Sequence, residues 1–310
     1  MTGGARPSPG DELDEVAASV QRLAALLSAG LGPLDAVRAL ERPPPELAAA
    51  AASDSPFDVP DRIVGVAASA PAPSPVRLAW MLLAAAWAVA LESGAPAAAS
   101  LDRTAGTLRA LADADRQVDL AIAGPIATAR IVTWLPLLGL GLGWAMGSDP
   151  IGVIVGTVPG AVAGVAGVGA ITAGVRWNRR LVAEAREHDP RAGLGAELVA
   201  LALEGGGDPD RAVELVADTL RRCGLDADLG EVESTVAFAR RTGTSMAALL
   251  RAEAERVRRL ALAQSLRRSA LLGSRLLGPL AVCFLPAFVL LGVVPLTLGI
   301  LRGTMGAFLA

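Results

Sequence analysis

Three long uncharged runs constrain the fold of this chain more than any other feature of its sequence. Residues 131–147 and 150–175 contain no charged side chain, and only Ser148 and Asp149 separate them. A third uncharged run covers residues 276–301. A helix of about 20 apolar residues is long enough to cross the hydrocarbon core of a bilayer. The pattern therefore predicts a transmembrane helical hairpin, with a short turn at 148–149, followed later by a third transmembrane helix.

Composition agrees with a membrane protein and disfavours a nucleic-acid-binding protein. Hydrophobic residues make up 53% of the 310 residues, and the mean hydropathy of +0.48 is high for a soluble protein. The formal net charge is −3, so the chain lacks the basic excess of a nucleic-acid-binding protein and no nucleic-acid partner is expected. Pro279, Pro286 and Pro295 in the third run predict kinks in its helix rather than breaks. A buried hairpin in a soluble protein is the alternative, which three such runs disfavour.

The arginines predict how the spans are oriented. All basic residues are arginine, and cytoplasmic loops of membrane proteins are enriched in basic residues. Arginines precede the first run, follow the second and precede the third, which would put them all on the same side of the membrane. They are Arg130, Arg176, Arg179, Arg180, Arg267, Arg268 and Arg275. The turn at 148–149 has none, and only Arg302 follows the third run. The N-terminus and residues 176–275 are therefore predicted to be cytoplasmic, with the C-terminus outside the plasma membrane.

Glycines recur at four-residue spacing in the second run. They are Gly152, Gly156, Gly160 and Gly164. On one continuous helix this spacing gives a flat face that allows another membrane helix to approach closely. The abundance of glycine, with 34 residues in the chain, is the alternative explanation. Whether the packing partner belongs to the same chain or to a second copy stays open.

A short turn occurs twice outside the uncharged runs. The sequence SAGLGPLDAV at 28–37 is echoed by EGGGDPDRAV at 204–213. In each copy a glycine suits the left-handed end of one helix, and a proline suits the first turn of the next. Both copies are therefore predicted to be helix–turn–helix connections. Their key residues are Gly30, Pro33, Gly206 and Pro209.

A second pair of turns extends the repeat. The sequence ESGAPAAASLDRTAGTLR at 92–109 aligns with RTGTSMAALLRAEAERVR at 241–258, matching Gly94 with Gly243. The offset is 149 residues here and 176 at the first turn, so the first copy has 27 additional residues. The proline-rich segment 41–76 accounts for them and is predicted to be an extended, partly flexible insertion.

The predicted fold is an all-α membrane protein with two similar cytoplasmic helical bundles alternating with three transmembrane helices. The opening residues lack the apolar core of a signal peptide. The predicted order is a disordered tail over 1–11, bundle 1 over 12–128, the hairpin over 129–175, bundle 2 over 176–270, the last span over 271–302 and a short tail over 303–310. The face formed by Trp80, Leu83, Trp87 and Leu91 is assigned to the core, with an exposed docking face as the alternative. The charges of residues 249–269 are assigned to a solvated helix face, with a partner surface as the alternative.

The residue types needed for common catalytic sites are missing. The chain has no lysine and therefore no ordinary Walker A loop, and no G-x-S-x-G motif occurs. The two cysteines and the single histidine, His188, do not make a zinc set. No aspartate, glutamate, histidine, lysine or arginine lies within the three uncharged runs, which disfavours an ion-coupled transporter. We predict no enzyme activity, cofactor or metal.

The order of these parts resembles the type II secretion system F family. The turn at 28–37 and 204–213 is similar to the first motif of that family, and residues 92–96 and 241–245 are similar to its second. Segments 135–160 and 267–299 resemble the B and C proteins of tight-adherence (Flp-type) pilus assembly. The resemblance covers about residues 12–300.

This resemblance implies an inner-membrane platform that couples a cytoplasmic secretion ATPase to the extrusion of pilin or pseudopilin subunits. Its implied partners are the ATPase, those subunits, other membrane subunits of the machine or a second copy of the chain, and membrane lipid. The alternatives are a transporter or permease subunit, and a membrane-anchored adaptor unrelated to secretion.

Overall fold

The structure, a computed structural model, describes residues 8–71, 74–145, 150–186, 189–226, 229–295 and 297. All regular elements in these ranges are helices. In chain order they are α1 (Pro9–Ser28), α2 (Pro33–Arg38), α3 (Pro45–Ala51), α4 (Val59–Ala67), α5 (Pro75–Ser93), α6 (Ala97–Ala145), α7 (Pro150–Gly156), α8 (Val158–Arg186), α9 (Leu194–Glu204), α10 (Pro209–Arg222), α11 (Gly230–Thr242) and α12 (Met246–Arg275). A C-terminal helical segment continues over 277–293. The all-α prediction is confirmed for the described residues.

The chain divides into two compact units. Unit 1 comprises the described residues of Met1–Arg116 and Asp189–Ala263, which we call the first and second repeats. Unit 2 comprises the described residues of Gln117–His188 and Gln264–Ala310. The long helices α6 and α12 each contribute residues to both units.

Both repeats build a single hydrophobic core in unit 1. The central helix is α5, which contacts α1 and α4 of the first repeat and α9 and α10 of the second. Every residue from Ala79 to Ala90 is buried, and the buried side chains of both repeats form one continuous cluster. The sequence predicts two bundles, but α5 needs apolar neighbours on all its sides, and two helices of the second repeat supply part of them. The assignment of Trp80, Leu83 and Trp87 to the core is confirmed, and Leu91 of the same predicted face is partly buried against that core.

Three helical stretches are long and apolar enough to cross a membrane by length and composition. They are Pro75–Ser93, Val158–Ala185 and Met246–Val293. The first of these is α5, whose most apolar window is 67% buried, against 28% and 39% in the other two. The apolar surface of α5 is used in the core of unit 1. The predicted span at 131–147 lies in α6 but includes residues outside the described ones.

The segment 41–76 is mostly helical rather than extended. It contains α3 and α4, which bury Leu47 and Ile63 in the core of unit 1. A proline stands at the first or second position of α3, α4 and α5. At these positions the missing N–H costs no hydrogen bond and the fixed φ favours a helix. The prolines here begin helices, which explains why composition alone predicts the wrong conformation.

Unit 2 exposes most of the large apolar side chains on the described surface. Among the residues that the structure describes, twenty-two large hydrophobic ones are exposed, and only Phe57, Phe238 and Leu260 of these belong to unit 1. The other nineteen lie in unit 2, chiefly on α6, α7, α8 and the C-terminal segment. Soluble domains rarely expose so much apolar surface in one region. Unit 2 therefore needs an apolar surrounding or an apolar partner.

The C-terminal segment stays helical past its prolines. Leu280–Phe284 and Val289–Val293 are π-helical, and Leu285–Phe288 between them is α-helical. Each π-turn stands before a proline, Pro286 or Pro295. A proline ring clashes with the carbonyl four residues earlier in an α-helix, and the wider π-turn moves that carbonyl away. The helical path at Pro279 and Pro286 therefore continues, as the sequence predicts.

Candidate functional site: the junction between the repeats

The two copies of the first turn have the same backbone arrangement. Gly30 follows α1 with φ of 93°, and Gly206 follows α9 with φ of 83°. Pro33 and Pro209 begin α2 and α10. A positive φ of this size favours glycine, because a side chain would approach the following carbonyl. Both copies are helix–turn–helix connections, and neither turn contains a strand.

The second pair of turns is also equivalent. Gly94 ends α5 with φ of 76°, and Gly243 ends α11 with φ of 67°. These turns lead into α6 and α12, the two helices that contribute to both units. The repeat therefore relates α1, α2, α5 and α6 to α9, α10, α11 and α12.

Equivalent arginines bind equivalent residues in the two repeats. Arg109 on α6 donates to the side-chain oxygen of Gln21 on α1. Arg258, which is 149 positions after Arg109, pairs with Glu197 on α9, which is 176 positions after Gln21. Both offsets are those of the sequence repeat, so the structure retains a shared contact across the two copies. The spacing of Arg109 and Arg258 was visible in the sequence, but their partners were not.

The first repeat is joined to the second through Glu204, at the end of α9. Its carboxylate oxygens accept hydrogen bonds from both terminal nitrogens of Arg103 on α6, at 2.8 and 2.6 Å. Arg251 on α12 forms an ion pair with the same carboxylate. The side chains of Glu204 and the two arginines are 22–35% exposed. One carboxylate therefore holds two guanidinium groups, one from each repeat, and the fork of Arg103 fixes the geometry.

The surroundings of Glu204 shift the pKa of Arg251, one of its two arginine partners. Burial lowers the pKa of the Arg251 guanidinium, and the positive charge of Arg103 lowers it further. The carboxylate of Glu197 opposes both effects. The two arginines repel each other, and the Glu204 carboxylate that both contact offsets this repulsion.

A second ion pair between the repeats lies at the C-terminal end of α10. Arg222 meets Glu92 of α5 at 2.5 Å. This hydrogen bond to Glu92 is the main cause that raises the pKa of Arg222, against the effect of burial. The pair is partly exposed, at 50% and 33% for its two side chains. Its contribution to stability is therefore small, since exposed ion pairs contribute about 1 kcal/mol or less.

The backbones of the two repeats approach closely at Gly205. A Cβ built on Gly205 would overlap the carbonyl group of Ser93 and lie 2.6 Å from its carbon. Gly205 has an ordinary helical φ of −71°, so the requirement for glycine here is steric. The ends of α5 and α9 approach this closely only because position 205 carries no side chain.

The predicted glycine face in unit 2 is divided between two helices. Gly152 and Gly156 lie in α7, whereas Gly160 and Gly164 lie in α8. The Thr157 hydroxyl donates to the Val153 carbonyl and accepts from the Gly160 N–H. Pro159 follows, and its ring does not fit the interior of a continuous helix. The chain therefore bends at Thr157, so the four glycines do not form one continuous helix face as predicted.

A different glycine spacing is used for packing within unit 2. Gly160, Gly167 and Gly174 recur every seven residues along α8. A Cβ on Gly160 or Gly164 would meet Val153 or Ile154 of α7. A Cβ on Gly167 would lie 2.9 Å from Leu291 Cδ2, and one on Gly174 would lie 2.8 Å from Phe284 Cε2. These contacts pack α8 against α7 and the C-terminal segment.

Replacing Gly174 by valine should loosen the packing of the C-terminal segment on α8. The new side chain would meet Phe284 and also Cys283, whose Cβ lies 2.9 Å from the built position. Overpacking of this kind costs about 1–3 kcal/mol. Gly169→Val is the matched control, because nothing lies within 4 Å of its Cβ position. Thermal unfolding in detergent should show a lower midpoint for Gly174→Val only, and equal midpoints would contradict the described packing.

Cys223 is a buried thiol near Arg222. Burial raises its pKa to about 11, and the nearby Arg222 charge opposes this increase. Only the thiolate is nucleophilic, so Cys223 is inert at neutral pH. The described residues contain no group of three or more histidine, cysteine, aspartate or glutamate side chains that would hold a metal ion.

Alkylation of Cys223 by iodoacetamide should therefore be slow. In a Cys283→Ala background at pH 8, we expect a rate about 100-fold below that of an exposed cysteine, because the thiolate fraction falls tenfold per pKa unit. The rate should keep rising between pH 9.0 and about 11. The neutral thiol is favoured in the folded state, so its contribution to stability is complete below pH 9.0 and is lost as the pH rises through about 11. A rate that levels off near pH 9 would contradict this environment.

Asp113 on α6 and Glu253 on α12 are each bound by an arginine three residues later. Asp113 meets Arg116 at 2.5 Å, and Glu253 accepts from Arg256 Nε at 2.9 Å, which lowers the pKa of its carboxyl group. The junction therefore joins two repeats through ion pairs and close backbone contact.

No family model matches the chain, and neither the curated proteins nor the solved structures contain a match. The likeness to the type II secretion system F family rests on the sequence motifs alone.

Proposed function

We propose that this chain is an inner-membrane platform protein of a type II secretion or Flp-type pilus assembly machine. In this role it couples a cytoplasmic secretion ATPase to the extrusion of pilin subunits. The single observation that carries the membrane part is the concentration of exposed large apolar side chains in unit 2. The repeated turns and the order of the parts support the family assignment.

Lipid is the surrounding that suits unit 2. The exposed apolar residues lie along α6, α7, α8 and the C-terminal segment, and helices are one of the two structures that can cross a bilayer because their backbone polar groups are satisfied internally. The flanking arginines support a cytoplasmic N-terminus and a cytoplasmic unit 1 under the positive-inside rule. On this proposal α8 and the C-terminal segment cross the membrane, and the end of α6 completes the hairpin.

The packing of unit 1 would allow it to respond as one body to movement of the ATPase. Its two repeats share one core and are joined through Glu204 and Gly205. A force on either repeat would then act on both, because packed cores deform little. We propose that α6 and α12, which contribute to both units, pass this movement to unit 2.

Co-purification with the secretion ATPase of the same system tests the proposal. The tagged full-length chain is expressed with that ATPase, extracted in mild detergent and captured. The full chain is needed because a fragment such as 178–270 would lack α5, around which the second repeat packs. We expect the ATPase to be captured and a deletion strain to lose its filaments or its secreted product. Absence of capture together with unchanged filaments and secretion would overturn the proposal and favour an adaptor or a transporter subunit.

A further inference from the structure

A groove on α8 lies where the apolar surface of unit 2 ends. Its volume is about 540 Å³, and it is lined by Thr172, Ala173, Arg176, Trp177 and Arg180. Arg176 and Arg180 are four residues apart and therefore lie on the same helix face. Thr172 is one further turn back on that face. The small side chain of Ala173 leaves the space between them open.

The arginines of this groove have no acidic partner. Neither Arg176 nor Arg180 forms an ion pair in the part of the chain that the structure describes, and neighbouring Arg179 is also exposed without one. Most arginines of unit 1 that line the repeat junction do have carboxylate partners. A groove with two free guanidinium groups complements an anion, and the planar fork of each suits phosphate oxygens.

The position of the groove indicates the source of that anion. The exposed side chains of α8 are apolar at Val158, Val162, Val165 and Val168, and arginines begin at position 176. Trp177 stands at this change with 43% of its surface exposed. Tryptophan is enriched at the level of lipid headgroups, where its ring is partly apolar and its N–H is polar. Its ring also lies beside Gly278 of the C-terminal segment, which holds it at this edge.

We propose that the headgroup phosphate of an acidic phospholipid binds in this groove. This inference rests on the membrane location given under the proposed function. Arg176 and Arg180 bind the phosphate oxygens, and Trp177 packs against the glycerol region. The Thr172 hydroxyl donates to the Gly169 carbonyl at 2.8 Å, so its oxygen remains able to accept a hydrogen bond from a headgroup hydroxyl. The acyl chains then lie along the exposed valines of α8.

Lipid binding to the purified full-length chain tests this site. The probes are phosphatidylglycerol and phosphatidylcholine with identical acyl chains, titrated in detergent and counted by native mass spectrometry. We expect tighter binding of phosphatidylglycerol to the wild-type chain. Arg176→Gln with Arg180→Gln should weaken it about 25-fold, since each basic residue near acidic lipid contributes about 1 kcal/mol, or about fivefold. Arg211→Gln with Arg241→Gln is the matched control, because both are exposed arginines of unit 1 and the net charge changes equally.

Each outcome decides the proposal. Equal binding of the two lipids, or an equal loss in the control pair, would overturn the site and indicate general charge attraction. Displacement of phosphatidylglycerol by millimolar inorganic phosphate would show a site for the free anion instead of lipid. A wild-type chain that shows no preference between the two lipids but still captures the ATPase would overturn this site alone. A chain that does not enter phospholipid vesicles would contradict the membrane location itself.

Discussion

Replacing Gly205 by alanine should lower the free energy of unfolding of unit 1 by about 2–3 kcal/mol. The added methyl group would overlap the carbonyl group of Ser93, which is backbone and cannot rotate away. The ends of α5 and α9 would have to separate, and the core shared by the two repeats would open at that point. We expect this to be the largest effect of any single methyl group added at the junction.

The measurement is urea unfolding of the full chain in detergent, followed by tryptophan fluorescence. Trp80 and Trp87 are each 2% exposed in the core of unit 1, whereas the other three tryptophans belong to unit 2. Replacing Trp134, Trp144 and Trp177 by phenylalanine leaves reporters of unit 1 only. Gly207→Ala is the control, since nothing lies within 4 Å of its Cβ position. It should be unchanged or slightly stabilised, because alanine restricts the unfolded chain. Equal midpoints for the two variants would contradict the contact at Ser93.

Replacing Glu204 by glutamine should lower the free energy of unfolding of unit 1 by about 1–3 kcal/mol. The loss of one partner of a buried ion pair costs about 3–5 kcal/mol, and the partial exposure of these side chains reduces this figure. The change leaves Arg103 and Arg251 facing each other without the carboxylate that neutralises them. Glu214→Gln, at an exposed position on α10, should stay within about 0.5 kcal/mol of the wild-type chain.

A double-mutant cycle separates the ion pair from other effects of the Glu204 change. Arg103→Met keeps most of the side-chain length and removes the guanidinium. If the bidentate pair joins the repeats, the double variant should lose less free energy of unfolding than the two single variants lose together. We expect the difference to be about 1 kcal/mol or more. Strict additivity would show that Glu204 and Arg103 do not stabilise each other.

The repeat was readable from the sequence because it depends on local backbone requirements. A turn with positive φ favours glycine, and a helix start tolerates proline, whatever packs around them. Gly30 and Gly206 therefore keep the same spacing to Pro33 and Pro209. The uncharged runs were equally readable, because their length and lack of charge are properties of the chain alone.

The packing partners were not readable, because they depend on residues far apart in the sequence. The four-residue glycine spacing in 150–175 predicts one helix face, but the hydrogen bonds of Thr157 and the ring of Pro159 divide it. The seven-residue spacing that includes Gly167 and Gly174 was present in the same segment. Only the position of the C-terminal segment shows that this second spacing is the one filled by Leu291 and Phe284.

The helix α5 shows the same division between sequence and tertiary structure. Its sequence determined that the helix is apolar on all sides, with a mean hydropathy of 1.4 over 18 residues. Such a helix must be covered, by lipid or by protein. The tertiary structure decided between these, because α1, α4, α9 and α10 surround it. The sequence of this protein thus determined where the repeated helices turn and which segments avoid water. Only the tertiary structure decided what covers α5 and which residues fill the glycine positions of α8, because burial depends on contacts between segments that the chain brings together from distant positions.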